Sequence, residues 1–265
     1  MFLITGIIIA ALFLVSTSMP FLSWVLPYYK IKKLEKADLK TKIIANIVAL
    51  AATGWIDIHF LVTYIGVFIS IEILYYILKK YGKNIQYFDK IFIISLLIGT
   101  GICIYIYFNR VTLNAGFEQL KNLYLQKTTF SQYEVDMAFK YIKDNFIYLV
   151  FAYLNMTVFL VYYFLHKEDF FGWEVSYLWL IPYICIFFIG KYTSFGGNLV
   201  TNILEVLKIV YIMYFMKIVA NILYEKVKKQ SLCFVIGVFL GLISPEFAFI
   251  FGALASGIKI KIVKS

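Results

Sequence analysis

The chain has 265 residues, 62% of them hydrophobic and 20% aromatic, with only 15% charged, a balance that excludes a water-soluble domain of ordinary composition. Its net charge of +10 comes from 24 lysines and a single Arg110, set in short clusters between apolar runs. A nucleic-acid reader would gather basic residues on one face and use arginine for bidentate contacts, so nucleic acid is excluded as a partner. The runs are about 18 to 28 residues long, near the length that crosses hydrocarbon, and the chain reads as an integral membrane protein whose partner is the lipid bilayer.

Residues 2 to 29 begin the series. MFLITGIIIAALFLVSTSMP lacks a basic n-region and is followed by more apolar sequence, which predicts a retained span and not a cleaved signal. Two forms are open: one tilted span, or a span broken at Pro20 with a short return through FLSWVLP. Lysine clusters then orient the chain, six in 30 to 42, four in 79 to 90 and three in 226 to 229, all assigned to the cytoplasmic side. Residues 43 to 56 and 60 to 78 form a hairpin turning at Asp57 to His59, and 91 to 108, 146 to 165, 174 to 190 and 199 to 224 supply four more crossings. An even number of crossings thus separates each pair of clusters. The run 231 to 258 is expected to be broken or re-entrant around Ser244 and Pro245, keeping Lys259, Lys261 and Lys264 cytoplasmic.

The polar connection 109 to 145 falls on the outer side. Within it, Ser131 and Glu134 of SQYE match a capping box, which predicts a short amphipathic helix with Met137, Tyr141 and Ile142 on its apolar side. Such a helix would lie on the membrane surface or over the bundle mouth; the alternative is a plain linker. The expected fold is all-α, a polytopic transmembrane helix bundle of about eight hydrophobic elements (seven to nine). It forms one multi-pass membrane domain over residues 1–265 with a short amphipathic helix in its external loop.

Candidate site residues concentrate in GGNLVTNILEVLKIVYIMYFMK, 196 to 217. At 100° per residue, Asn202 stands about 40° and Glu205 about −20° from Asn198, with Lys208 about −80° beside them. A carboxylate facing hydrocarbon costs roughly 2.5 to 3.5 kcal/mol, so this stripe should face protein or a wet cavity. It serves either as a ligand site, with Glu205 the charged contact and the amides orienting the ligand, or as structural glue, with Glu205 and Lys208 paired at i, i+3. Lys217 is expected to snorkel. Asp57 and His59 form an outer vestibule or a solvated tip, and Glu72 either bonds a neighbouring helix or joins the same cavity.

The loop HKEDFFGWE, 166 to 174, reads as an interfacial aromatic belt or a docking surface, and GVFLG, 237 to 241, as a close helix contact. Cys103, Cys185 and Cys233 read as buried small hydrophobes. His59 and His166 stand alone, so no metal site is proposed, and the chain lacks HExxH, GxSxG, P-loop and GxGxxG motifs. No enzyme, cofactor or nucleotide-driven step is expected.

LPYYKIKK, FFGWEVSYLWLIP, GGNLVTNILEVLKIVYIMYFMKIV and the closing SPEFAFIFGALASGIKIKIVKS together resemble the YybS-like family of predicted bacterial membrane proteins. That family has no assigned biochemical function and is distantly similar to the S components of energy-coupling-factor transporters. Asn198 matches the asparagine after the family's small-residue loop, and Pro182 its span proline. The resemblance implies a bacterial plasma-membrane bundle with a small-molecule pocket toward the outer half, working with a transmembrane coupling protein and ATPases. The chain departs from the pattern at Ser256, Lys259 and Lys261, where the family carries an Asp and an Arg. It also keeps only Gly6 and Ala10 of the alanine-spaced face with which S components meet their partner. The remaining reading is a non-transporting membrane scaffold or regulatory partner whose buried polar groups only pack helices.

Overall fold

The computed structural model describes residues 2–35, 37–193 and 196–258; Lys259, Lys261 and Lys264 lie outside the described residues. Among those residues every regular element is helical. Helix α1 (Phe2–Ser18) stops at Met19, which precedes Pro20 and is driven out of the helical region, to φ −130° and ψ 84°. A 3-10 turn over Pro20–Leu22 leads into α2 (Val25–Leu34), so residues 2 to 29 take the broken form. The Ser23 hydroxyl, buried in this turn, shares a 2.8 Å hydrogen bond with that of Thr157.

Helix α3 (Leu39–Ile56) packs on α1, and Asp57, extended, starts α4 (Ile58–Thr63), which runs through a π-helical segment, Tyr64–Ile69, into α5 (Ser70–Tyr81). Leu61 meets Gly54, and the Tyr64 hydroxyl donates to Asn46 Oδ1 at 3.2 Å, so the two arms run antiparallel as the hairpin requires. Helix α6 (Tyr87–Phe108) is followed directly by α7 (Arg110–Lys127). The expected external loop is therefore a helical hairpin, α7 with α8 (Gln132–Asp144), closed by Phe117 and Tyr124 against Phe139 and by a 2.7 Å ion pair between Lys121 and Asp136. The capping box stands as expected: Glu134 N–H donates to Ser131 Oγ, and Ser131 N–H donates to the Glu134 carboxylate. The inward face of α8 is Val135 and Phe139, however, while Met137, Tyr141 and Ile142 are exposed. Reading α8 alone missed this, because the partner that selects the face is α7.

Helices α9 (Phe146–Leu165), α10 (Leu180–Tyr192), α11 (Gly197–Val227), α12 (Gln230–Ile243) and α13 (Pro245–Ile258) complete the bundle. The 31-residue α11 lies at its centre, packed against α6, α9, α10, α12 and α13. α12 and α13 meet at 114° across Ser244, the break expected there. Both lie tight on α11: a Cβ on Gly237 would stand 2.4 Å from the Met216 carbonyl oxygen, and one on Gly252 2.2 Å from that of Tyr211. GVFLG is thus a packing contact. Ile58–Tyr81, Tyr87–Phe108 and Phe146–Leu165 are long and apolar enough to cross a membrane, and the bent α12–α13 pair makes a fourth if it counts as one span. Ile4–Ser18 and Tyr177–Tyr192 are apolar but shorter.

Three local readings change. The 166 to 174 loop does not present its rings at a surface: a 3-10 turn over Lys167–Gly172 folds Phe170 and Trp173 into the core, with Trp173 stacked on Tyr87 at 4.9 Å and edge-on to Phe170 at 5.2 Å. Ring-on-ring packing of this kind adds about 0.5–1.5 kcal/mol per pair beyond the area buried. Lys217 does not snorkel; surrounding helices enclose it, and its ammonium lies 5.4 Å from the Tyr214 ring centroid. Of the three cysteines only Cys233 is buried; Cys103 is half-buried and Cys185 is exposed on the outward side of α10.

Candidate functional site

Helical periodicity sets Asn198, Asn202, Glu205 and Lys208 along one stripe of α11, and the stripe meets protein groups. The Asn202 side chain sits at the joint between α8 and α9, where one helix ends with unpaired carbonyls and the next begins with unpaired N–H groups. Its Oδ1 accepts from Tyr148 N–H at 2.9 Å, and its Nδ2 donates to the carbonyls of Asp144 at 2.8 Å and Asn198 at 2.7 Å. An amide carries both a donor and an acceptor, so one side chain serves both helix ends. Asn198 contributes its backbone here, and the residue itself is exposed.

Nearly two turns on, Lys208 is buried and its ammonium is shared between two carboxylates, Glu205 at 2.8 Å and Glu246 at 2.7 Å, with the Phe249 ring 5.8 Å away. Glu246 is in the first turn of α13, where a negative charge also complements the helix N-terminus. The cluster therefore fastens α13, beyond the break at Ser244, to α11. Sequence reading paired Glu205 with Lys208 but missed Glu246, whose place beside them depends on the 114° turn.

Glu72 belongs to a second cluster with no residue in common with the first. It pairs with Lys30 of α2 at 2.8 Å, with Lys30 fully buried and its ammonium 4.9 Å from the Tyr64 ring centroid. The contact is an ion pair, and the other face of the ammonium is aromatic. Lys30 was counted with the cytoplasmic lysines. The signal for its burial is present, since Leu26, Pro27, Ile31 and Leu34, all buried, share its helical stripe.

Asp57 and His59 form an exposed turn: the Asp57 carboxylate accepts from His59 N–H at 2.6 Å and caps α4. Another carboxylate, Asp89, accepts from Ser176 N–H and the Trp179 indole N–H, both at 3.0 Å, and holds the segment before α10 against α6. Among the described residues no group of three His, Cys, Asp or Glu stands close enough to hold a metal ion. Among the described residues, cavities of about 680, 520 and 480 Å³ are lined by residues other than the seven candidates. Comparison with family models, with curated proteins and with solved structures finds no match to this chain.

Proposed function

We propose that the chain is a multi-pass membrane protein that acts as a non-transporting scaffold or regulatory partner, its intramembrane polar residues joining helices to one another. Its eight apolar elements are α1 with α2, α3, α4 with α5, α6, α9, α10, α11, and α12 with α13. The lysine-rich loops between them face the cytoplasm of a bacterial cell. Carrying this reading is the engagement of Asn202, whose donors and acceptor are all spent on the backbone of α8, α9 and α11. The shared Lys208 and the Lys30–Glu72 pair support it in the same way.

A second reading, a small-molecule binding or transport component similar to the S components of energy-coupling-factor transporters, is favoured by one observation. The Glu205 side chain is 34% exposed and Asn198 is exposed, so a solute could reach that end of α11. Thermal melting of the detergent-purified protein against a panel of small solutes separates the two. On the scaffold reading Asn202→Ala lowers the melting temperature and no solute raises it. A solute that stabilises the wild type but not a folded Glu205→Gln variant overturns the scaffold reading.

A further inference from the structure

Two of the cavities lie side by side on one flank of the bundle. The larger, about 680 Å³, is a groove between the Ile58–Tyr81 rod and α6. The other, about 520 Å³, is tucked between α7 and the start of α9. Ile106 and Leu113 line both, so the two adjoin there and form one track. Each volume is within the roughly 300–1,000 Å³ typical of ligand sites.

The glycines along the track distinguish it from a packing defect. Gly66 and Gly101 face the groove from opposite helices and Gly116 faces the second cavity, and a Cβ on any of them would meet nothing within 4 Å. A glycine inside a helix costs roughly 0.5–1 kcal/mol relative to alanine. At Gly237 and Gly252 that cost is offset by close approach of another backbone; along the track no neighbour approaches, and the absent side chains leave room. Gly66 also lies in the π-helical segment Tyr64–Ile69, a distortion that recurs at functional sites.

The chemistry of the lining is graded. In the groove the Thr63 and Ser70 hydroxyls turn back onto their own helix, donating to the carbonyls of His59 and Ile65, so apart from Tyr105 near one end the wall offered to a ligand is aliphatic. Beyond the neck come Thr112, Asn114 and Lys143. Lys143 is the one charged residue in the two linings, which contain no carboxylate.

We infer that this track binds an anionic membrane phospholipid, one acyl chain lying in the groove between the two spans and the headgroup facing Lys143. The inference rests on the reading of these helices as membrane spans, since a chain would enter sideways from the bilayer. It is independent of whether the α11 stripe is structural.

The test is native mass spectrometry of the detergent-purified full chain with added phosphatidylglycerol or phosphatidylcholine. Wild type should retain one phosphatidylglycerol in preference to phosphatidylcholine. Gly101→Leu and Gly66→Leu, whose side chains project into open space, should reduce retention about tenfold, a change of about 1.4 kcal/mol. Leu113→Trp at the neck repeats the test at a third position. Lys143→Gln should lower the preference for phosphatidylglycerol about fivefold, the scale of one cation facing an anionic headgroup. Equal retention by wild type and the leucine variants overturns the inference. So does capture of free palmitate in place of phospholipid, or a wild-type dimer that the leucine variants convert to monomer with no change in bound lipid. Carbonate extraction of the same membranes keeps the two readings apart: a protein that extracts overturns the membrane reading, whereas one that stays inserted but lipid-free overturns the lipid site alone.

Discussion

Removing the carboxylate from the Lys30–Glu72 pair tests the interior most severely. At 2.8 Å, and with an effective dielectric of about 20, the two charges attract by about 6 kcal/mol. Much of that is offset by the several kcal/mol needed to desolvate each ion, so the intact pair adds little net stability. Breaking it is another matter. Glu72→Gln leaves the ammonium of a fully buried Lys30 with only a neutral amide and the Tyr64 ring beside it, and an uncompensated charge of this kind costs about 3–5 kcal/mol. The double variant Lys30→Met with Glu72→Leu removes both charges and should stay within about 1 kcal/mol of wild type, or exceed it. Equilibrium unfolding in mixed micelles, followed by circular dichroism, measures all three. If Glu72→Gln costs less than about 1 kcal/mol, or if the double variant is no more stable than the single one, the pair is not the enclosed contact described.

Further outcomes are expected at four other places. Gly252→Ala should destabilise by about 1–3 kcal/mol, because its methyl group would stand 2.2 Å from the Tyr211 carbonyl oxygen, while Gly101→Ala, with open space, should stabilise by about 0.5–1 kcal/mol; the same unfolding assay reads the sign. Ser131→Ala removes half of the capping box and should lower stability by about 1 kcal/mol, with faster amide exchange confined to the first turn of α8. His166, just past the end of α9, is held below the usual imidazole range by burial and by Lys79 and Lys90, with Asp169 and Glu35 opposing. The unfolded chain therefore takes up the proton at a higher pH than the folded one. This contribution is complete above about pH 6.5 and is lost as the pH falls below it. The melting temperature should drop between pH 7.5 and 5.5, and less steeply in His166→Gln, whose side chain also faces Tyr75.

Hydropathy made α6, α9 and α11 legible, because a continuous apolar run needs no partner to be recognised. The break at Ser244–Pro245 and the capping box at Ser131 were legible for a similar reason, as local backbone chemistry decides both. The amphipathic α7 was passed over, although Leu113, Phe117, Leu120 and Tyr124 recur at intervals of four, three and four along it. Polarity alone had marked that stretch as a loop. Within the candidate site, the shared face of Asn202, Glu205 and Lys208 followed from periodicity, but their partners did not. Tyr148 N–H, the Asp144 carbonyl and Glu246 arrive through tertiary packing, and Lys30 reaches Glu72 because α2 packs beside α5.

On the proposed multi-pass reading, in which α11 crosses the bilayer, its length constrains how it can sit there. Its 31 residues make a rod of about 46 Å, against a hydrocarbon slab of about 30 Å. Even at about 40°, the steep end of the observed range of inclination, the rod still projects about 35 Å along the bilayer normal, so roughly one turn must stand clear of the acyl chains. With Asn198 at one tip and Glu225 and Lys226 at the other, that turn would then be a polar post in the headgroup layer, a place where the proposed scaffold could be gripped from outside the membrane.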